Sequence, residues 1–513
     1  MKEPRAWSWR GPGLWVLARF CAPWVPNADE KEKNALPKGR KAFGARGFGT
    51  TGRGWQPAKA FFSFSPGSSL RRKKRAKAHT PRRAAVPGFL IDVFDTPARR
   101  FYTSGSNPFG KEHRELIVPR WRGEEIPARL VAEAHRNEGL APVDLDRFWE
   151  DHAKAIKNPF GDDIPQVPLG VMMSWECVFD ELGVPEDPWR YDQDEKWALE
   201  LNRAYNDKAE RIVGRRLLRE TPRDPSRQYP PVKQLHDIFE GHEEWHSGSW
   251  WLMPSVHNEE ELKALLDRVE ERLAGDLRGF LLPENWNEEK ARLMALGVRP
   301  PLYRDQRGPV TFATSIYGVE NLIFLIHDNP DLAARFRDLI LRAMLERARI
   351  LDEEAGYSPE TAPRGFSFRD DNCALLTPEM YEFFGYPILK GIFERYAPDP
   401  GDRRYQHSDS DMAHILPVLG RLDLTGVNFG PTLSVSQIRE HLPRAVIYGQ
   451  LAPFTFSRNE EEKIVAEFLR DFDQARERRG LVFATAGSIN NGSRLTGMRL
   501  IMSAIQHFGR YDQ

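Results

Sequence analysis

From Val310 to Phe508 the sequence alternates between short β-branched or aromatic runs and longer amphipathic stretches, and this limits the fold more than any other feature. The runs are Val310–Thr314, Gly365–Phe368, Arg404–Gln406, Gly426–Phe429, Ala445–Tyr448 and Leu481–Ala484. The stretches after them are Gly318 to Glu354, Pro378 to Tyr396, Met412 to Leu422, Ser434 to Leu442, Glu460 to Arg479 and Arg494 to Phe508. In the first, Leu332, Phe336, Leu339, Ile340, Ala343 and Met344 recur at helical spacing. Thr377 and Ser434 stand where N-caps belong. Six strand–helix units with short connections predict a parallel sheet covered by helices.

Short strands and long helices suit an α/β fold closed as a (β/α)8 TIM barrel. Val167–Met173 supplies a first strand, followed by helices over Glu176–Leu182 and Glu195–Leu218. Leu262–Leu273 reads as another helix and Arg278–Leu282 as a further strand, which makes eight units plausible. A doubly wound open sheet is the alternative, but neither GxGxxG nor GxxxxGK[ST] follows any strand.

The barrel is expected to occupy 142–513. Upstream, residues 1–88 hold 20 Lys and Arg against 4 Asp and Glu, include the run Arg71-Arg72-Lys73-Lys74-Arg75, and show no sustained apolar period. Such a segment buries too little to offset chain entropy, so a disordered basic extension is expected. Its bland readings, a solvated tail or a start codon placed too early, outweigh a nucleic-acid or anionic-membrane contact. Residues 89–141 read as an arm, with Phe89–Phe94 as a strand candidate and Ala128–Asn137 as a short helix. Mean hydropathy is −0.57, no run approaches the ~18 apolar residues of a membrane span, and Gly13–Val25 is broken by Arg19 and Pro23. Cys21, Cys177 and Cys373 are too widely spaced for a disulfide framework or a CxxC site, which fits a cytoplasmic protein.

In a barrel, chemistry gathers at the C-terminal ends of the strands. The residues there are Arg369-Asp370-Asp371-Asn372, His407-Ser408-Asp409-Ser410-Asp411, Asn428, Gly430, Gly449-Gln450 and Gly487-Ser488-Ile489-Asn490-Asn491. Carboxylates, an imidazole and amides around one mouth can bind a polar substrate, exchange protons or hold a hard cation. Asp370, Asp371 and His407 are the catalytic candidates, and Asp409, Asn428, Gln450, Ser488 and Asn490 the substrate-binding ones. His407 and Asp409 are also the metal-ligand candidates. The structural alternatives are that Asp370 and Asp371 cap the helix after Thr377 or pair with Arg369 or Arg404, that Asp409 and Asp411 cap a helix, and that Gln450, Ser488 and Asn490 serve backbone turns.

These segments resemble the uroporphyrinogen decarboxylase (URO-D) family. Phe368-Arg369-Asp370-Asp371-Asn372-Cys373-Ala374-Leu375-Leu376-Thr377-Pro378-Glu379-Met380-Tyr381 is similar to its acidic or Ser-containing loop entering an (S/T)P-E-x-(Y/F) helix, in which Pro387 also has a counterpart. His407-Ser408-Asp409 resembles its H-x-C/D-G segment, Val427-Asn428-Phe429 its V-x-N/D-x strand, and Tyr448-Gly449-Gln450-Leu451-Ala452-Pro453 its x-G-N/G-(L/I)-D-P turn. Gly308-Pro309-Val310-Thr311-Phe312-Ala313 with Gly318-Val319-Glu320-Asn321 looks like GPFT…G-x-E-(N/D). The chain also departs from the family. Met172-Met173-Ser174-Trp175-Glu176 stands where the decarboxylases carry the arginines of M-R-Q-A-G-R, and Gly487-Ser488-Ile489 where they carry a late G-H-G histidine. Asp409 stands where the thiol-activating methyltransferases have a zinc-binding Cys, and their late Cys is absent.

The resemblance implies a decarboxylase-type lyase for a carboxylated, tetrapyrrole-like small molecule, needing no cofactor. Asp370 or Asp371 would stabilise the protonated ring, and His407 would donate a proton. A divergent member near the corrinoid-methyltransferase branch is the alternative, with zinc or another divalent metal on His407 and Asp409 and a corrinoid protein as partner. A non-enzymatic barrel binding a polar ligand is a third. A homodimer is compatible with all three, while nucleic acid and membrane are not expected partners.

Two other features are expected to be structural. His242-Glu243-Glu244-Trp245-His246 spells HExxH, but Gly241 and Ser247-Gly248-Ser249 flank it and Trp250–Met253 reads as a strand, so a metalloprotease helix is not expected. Trp245, Trp250 and Trp251 are expected in core packing or a pocket wall.

Overall fold

A computed structural model describes residues 125–512; the basic extension 1–88 and the Phe89–Phe94 run lie outside the described residues. The helix expected from Ala128 spans Glu125–Arg136, buries Leu130, Val131 and Ala134 on one face, and packs on helices Glu461–Ala475 and Leu495–Phe508. The end of the arm is thus joined to the α/β unit.

The strands are β1 (His242–His246), β2 (Ser249–Met253), β3 (Asp305–Arg307), β4 (Phe366–Arg369), β5 (Arg404–Ser408), β6 (Gly426–Phe429), β7 (Val446–Leu451) and β8 (Leu481–Thr485). β1 and β2 form an antiparallel hairpin, while β3 to β8 form one six-stranded parallel sheet in sequential order. That order has no reversal, unlike a doubly wound sheet with its topological switch point. The Val167–Met173 segment meets β8 at a single parallel bridge, Leu169 to Phe483. Among the described residues the sheet therefore has six strands, not the eight expected. Between Met173 and Asp305 the chain forms helices and the hairpin instead.

Two expected strands are helices. Val310–Thr314 lies inside the helix Pro309–Tyr317. Pro309 sets its first turn, and the Asp370 side chain accepts the Thr311 N–H at 2.7 Å, which overrides the β-branched composition. Of the Arg278–Leu282 run all but the C-cap Leu282 lies in the helix Leu277–Leu281, where Asp276 caps the Gly279 N–H. The stretch 318–354 is divided into Val319–Asp328 and Pro330–Glu354 by Asn329, which caps Leu332, and Pro330. Thr377 and Ser434 do cap their helices, Ser434 in a reciprocal capping box with Gln437.

The alternation along each strand decides what meets the helices and what meets the site. Phe366 packs tilted against Tyr396, and Phe368 edge to face against Phe393, of helix Pro378–Tyr396, at 6.1 and 5.7 Å between ring centres. Phe483 meets Phe468 of helix Glu461–Ala475 at 5.0 Å. Each of these buried rings contributes about 1.5–3 kcal/mol of apolar transfer free energy. The residues between them face the opposite side of the sheet.

The HExxH residues form strand β1, whose side chains alternate between exposed and half-buried. At strand rise, His242 and His246 stand about 13 Å apart, too far to share one ion. Trp245 and Trp250 pack edge to face with each other at 5.6 Å, and Trp245 packs likewise on Trp189 at 5.0 Å, while Trp251 stacks on His246. Trp245, Trp250 and Trp251 are all half-buried, with Trp251 on the opposite face of the hairpin from the Trp245–Trp250 pair, so the core-packing alternative is not met.

Candidate functional site

The register places Arg307 of β3 opposite Arg369 of β4, Arg369 opposite His407 of β5, and His407 opposite Asn428 of β6. Directly paired residues share a face, so these four side chains form one row near the strand C-termini, on the face away from Phe368 and Phe393. His407 and Asn428 are both 1% exposed. The imidazole Nδ1 lies 2.7 Å from Asn428 Oδ1. Asn428 Nδ2 donates to the Thr485 carbonyl at 2.8 Å and to the Tyr448 carbonyl. The amide is thereby oriented with its oxygen toward the ring, so Nδ1 carries a hydrogen and Nε2 is directed elsewhere.

Nε2 is 3.1 Å from Asp409 Oδ1, within ion-pair range but off the line of a hydrogen bond. Asp409 Oδ1 also accepts the Ser488 N–H at 3.2 Å. Gly487 is required beside it, because a Cβ there would stand 2.3 Å from that same oxygen and its φ is +101°. The Asp409 N–H in turn donates to Asp371 Oδ1 at 2.7 Å. Asp371, His407 and Asp409 each present a ligand-type atom, and these atoms lie within 4.8 Å of one another.

Burial and charge set the protonation of this trio. Asp371 is 1% exposed. Desolvation first, and then the neighbouring Asp409, push its carboxyl up to about 8, against the opposing pull of His407. For His407, burial works against the charged ring, but Asp409 and Asp371 outweigh it and the pKa rises. Near neutral pH the Asp371 carboxyl therefore keeps its proton, and the acidic neighbours favour the charged form of His407.

The other candidates are placed differently. The Asp370 carboxyl is fully buried, caps the helix Pro309–Tyr317 through Thr311, and is pushed up to about 6 by burial. A Cβ on Gly308 would stand 2.1 Å from the Asp370 Cβ, so backbone and cap are packed closely. Asp370 is thus a helix cap, though of an earlier helix than the one after Thr377, and Asp371 makes neither of the structural contacts expected for it. Gln450 Nε2 donates to the Gly430 and Leu433 carbonyls, which ties down the loop after β6. Ser488 joins the site through its backbone N–H. The Asn490 carbonyl accepts the Ser493 N–H in a turn, and Asp411 is exposed near the Ala413 N–H.

A divalent cation fits the trio. Asp371 Oδ2, His407 Nε2 and Asp409 Oδ2 are buried and lack hydrogen-bond partners. One imidazole and two carboxylates form an oxygen-rich donor set with room for further ligands, suited to a hard or borderline ion. Cys373 does not join it, since its thiol is buried, donates to the Asp370 carbonyl and is pushed up by desolvation. Sequence reasoning missed Arg307, because a strand placed over Val310–Thr314 leaves it upstream of the sheet. Arg369 is in the same row and pairs with Asp305.

Residues 293–508 match the family model described as uroporphyrinogen decarboxylase (URO-D). No curated protein sequence matches the chain. Among solved structures, a methyltransferase from Methanosarcina mazei is similar at 16% identity over 67% of this chain and 94% of that one, with a TM-score of 0.42.

Proposed function

With the match of residues 293–508 to the URO-D family model as the premise, we propose that this chain is an enzyme built as a β/α barrel closed through the Leu169–Phe483 bridge, and that it is a carboxy-lyase for a carboxylated small molecule of tetrapyrrole-like character. The observation that carries this reading is the buried Asp371 carboxyl, which burial and Asp409 push up to about 8. Decarboxylation releases CO2, leaves the bonding electron pair on the substrate carbon, and needs a proton delivered to that carbon. An acid that keeps its proton at neutral pH, out of bulk water, is suited to that delivery. Asp409, beside the raised His407, stands where positive charge on a protonated ring would be stabilised. The proton lost from Asp371 returns from solvent through His407 and Asp409, with Asn428 holding the imidazole. Asp370 has no part in this scheme, since it caps a helix.

The test is anaerobic incubation with uroporphyrinogen and with simpler pyrrole acetates in D2O. Release of CO2 with one deuterium incorporated per carboxyl lost is expected, together with loss of turnover in Asp371→Ala. If neither substrate class releases CO2, the lyase reading fails.

A second reading is favoured by the three unpartnered ligand atoms: a corrinoid-linked methyltransferase with a divalent cation on Asp371, His407 and Asp409. When bound, such an ion supplies Lewis acidity toward the methyl acceptor or donor. This chain's residues would hold the ion, and Asn428 would fix the His407 tautomer. Stoichiometric metal in purified protein, lost in His407→Ala, supports this reading; fully active metal-free protein ends it.

A further inference from the structure

We propose that Arg307 is the anchor for a substrate carboxylate, set beside the Asp371–His407–Asp409 trio. This deepens the carboxylated-substrate reading and rests on it for the identity of the ligand.

Arg307 ends β3 and lies in one row with Arg369, His407 and Asn428. Two strand spacings, about 10 Å, separate it from His407, a distance that one small carboxylated molecule can bridge. The two neighbouring guanidinium groups are not equivalent. Arg369 is paired with Asp305. Arg307 is half-buried, and its hydrogen bond is to the Ser315 hydroxyl, long at 3.4 Å. No carboxylate oxygen among the described residues comes within the 4.0 Å of an ion pair with it. Glu243 on the hairpin and Asp371 act on it only across a gap, and Arg369 repels it.

A guanidinium stays charged in a half-buried setting, and with no carboxylate in ion-pair range this one is left free to take an arriving anion. A planar donor fork favours a planar two-oxygen acceptor, which selects a carboxylate over a point anion.

The test is calorimetric titration of the full chain with malonate and, in a separate arm, with inorganic phosphate, for wild type, Arg307→Gln, Arg307→Lys and His407→Asn. Malonate is expected to bind wild type, to lose at least about tenfold in affinity in Arg307→Gln, and to bind Arg307→Lys with intermediate affinity. Thermal unfolding without anion separates a ligand-binding guanidinium from a structural one, since Arg307→Gln is expected to be as stable as wild type or more so. Three results overturn the proposal: no malonate binding to wild type, unchanged affinity in Arg307→Gln, or marked destabilisation of anion-free Arg307→Gln. Tighter phosphate than malonate binding that is lost in Arg307→Gln overturns the carboxylate assignment. His407→Asn is expected to keep malonate binding, so loss of the lyase activity and loss of the anchor are read separately.

Discussion

His407 and Asn428 sit opposite each other on β5 and β6, and the 2.7 Å contact from Nδ1 to Oδ1 fixes which way the imidazole faces. The orientation originates outside the pair, in the Tyr448 and Thr485 carbonyls that accept from Asn428 Nδ2. Asn428→Ala is expected to cost about 1–3 kcal/mol by leaving buried groups unpartnered. Asn428→Asp should cost more at neutral pH, because a carboxylate oxygen would then face two carbonyls. Urea unfolding of the two variants checks the order; an equally stable Asn428→Asp would mean the amide is not held by those carbonyls.

The trio makes stability depend on pH in a definite direction. Asp371, pushed up to about 8, holds a proton in the folded state that the unfolded chain gives up near pH 4. Its contribution is fully present below about pH 4 and is lost as pH rises to about 8. The raised His407 acts with the same sign, present below its unfolded value and lost as pH climbs through the folded one. Metal-free protein is therefore expected to unfold more easily at pH 8.5 than at pH 5.5 (about three units across the window). Asp371→Asn should flatten the upper part of that slope. A variant that keeps the full slope would place the titration elsewhere.

How legible all this was in the sequence depended on how local the deciding contact is. Strands β4 to β8 were readable because Phe366 and Phe368 or Leu481 and Phe483 carry their own alternation, and the Thr377 and Ser434 caps act within one helical turn. β3 was not. Asp305-Gln306-Arg307 has no β-branched or aromatic residue, and the helix that follows is capped by Asp370 from 59 residues away. The same long-range contact separates two adjacent aspartates that looked alike. Asp370 turns its carboxyl to Thr311, and Asp371 turns its own to the Asp409 N–H. His407 and Asp409 were visible because they end a recognisable strand; Arg307 was hidden because the strand it ends was placed wrongly.

Asp370 can be separated from the chemistry by variants. Asp370→Asn retains an oxygen for the Thr311 N–H and is expected to stay within about 1 kcal/mol of wild type, whereas Asp370→Ala should lose about 1–2 kcal/mol with the cap. Asp370→Asn should also remove the part of the pH slope between about pH 4 and about 6. Gly308→Ala is expected to be the worst of the three, costing about 3 kcal/mol or more, since its Cβ would stand 2.7 Å from the Asp370 Cα. Thermal melts of the three variants give the order, and a well-tolerated Gly308→Ala would show that the junction can relax.

The metal reading has its own signature in protons. Asp371 is protonated near neutral pH, and a cation binding Asp371, His407 and Asp409 must displace that proton and compete with protonation of the raised His407. Titration of metal-free protein with Zn2+ or Mn2+ at pH 7 should release protons, seen as a dependence of the measured heat on the buffer's ionisation enthalpy, and affinity should rise with pH. Asp371→Asn and His407→Ala should each abolish tight binding, while Asn428→Ala should weaken it about 10–100-fold by releasing the imidazole. Gly487→Ala is the most telling variant because it removes no ligand atom. Its Cβ would enter within 2.3 Å of Asp409 Oδ1 and displace that carboxylate from His407 and the Ser488 N–H. Loss of metal there, with Asp371 and His407 intact, would tie the affinity to the position of Asp409. Unchanged affinity in Gly487→Ala and His407→Ala together would put the metal somewhere other than this trio.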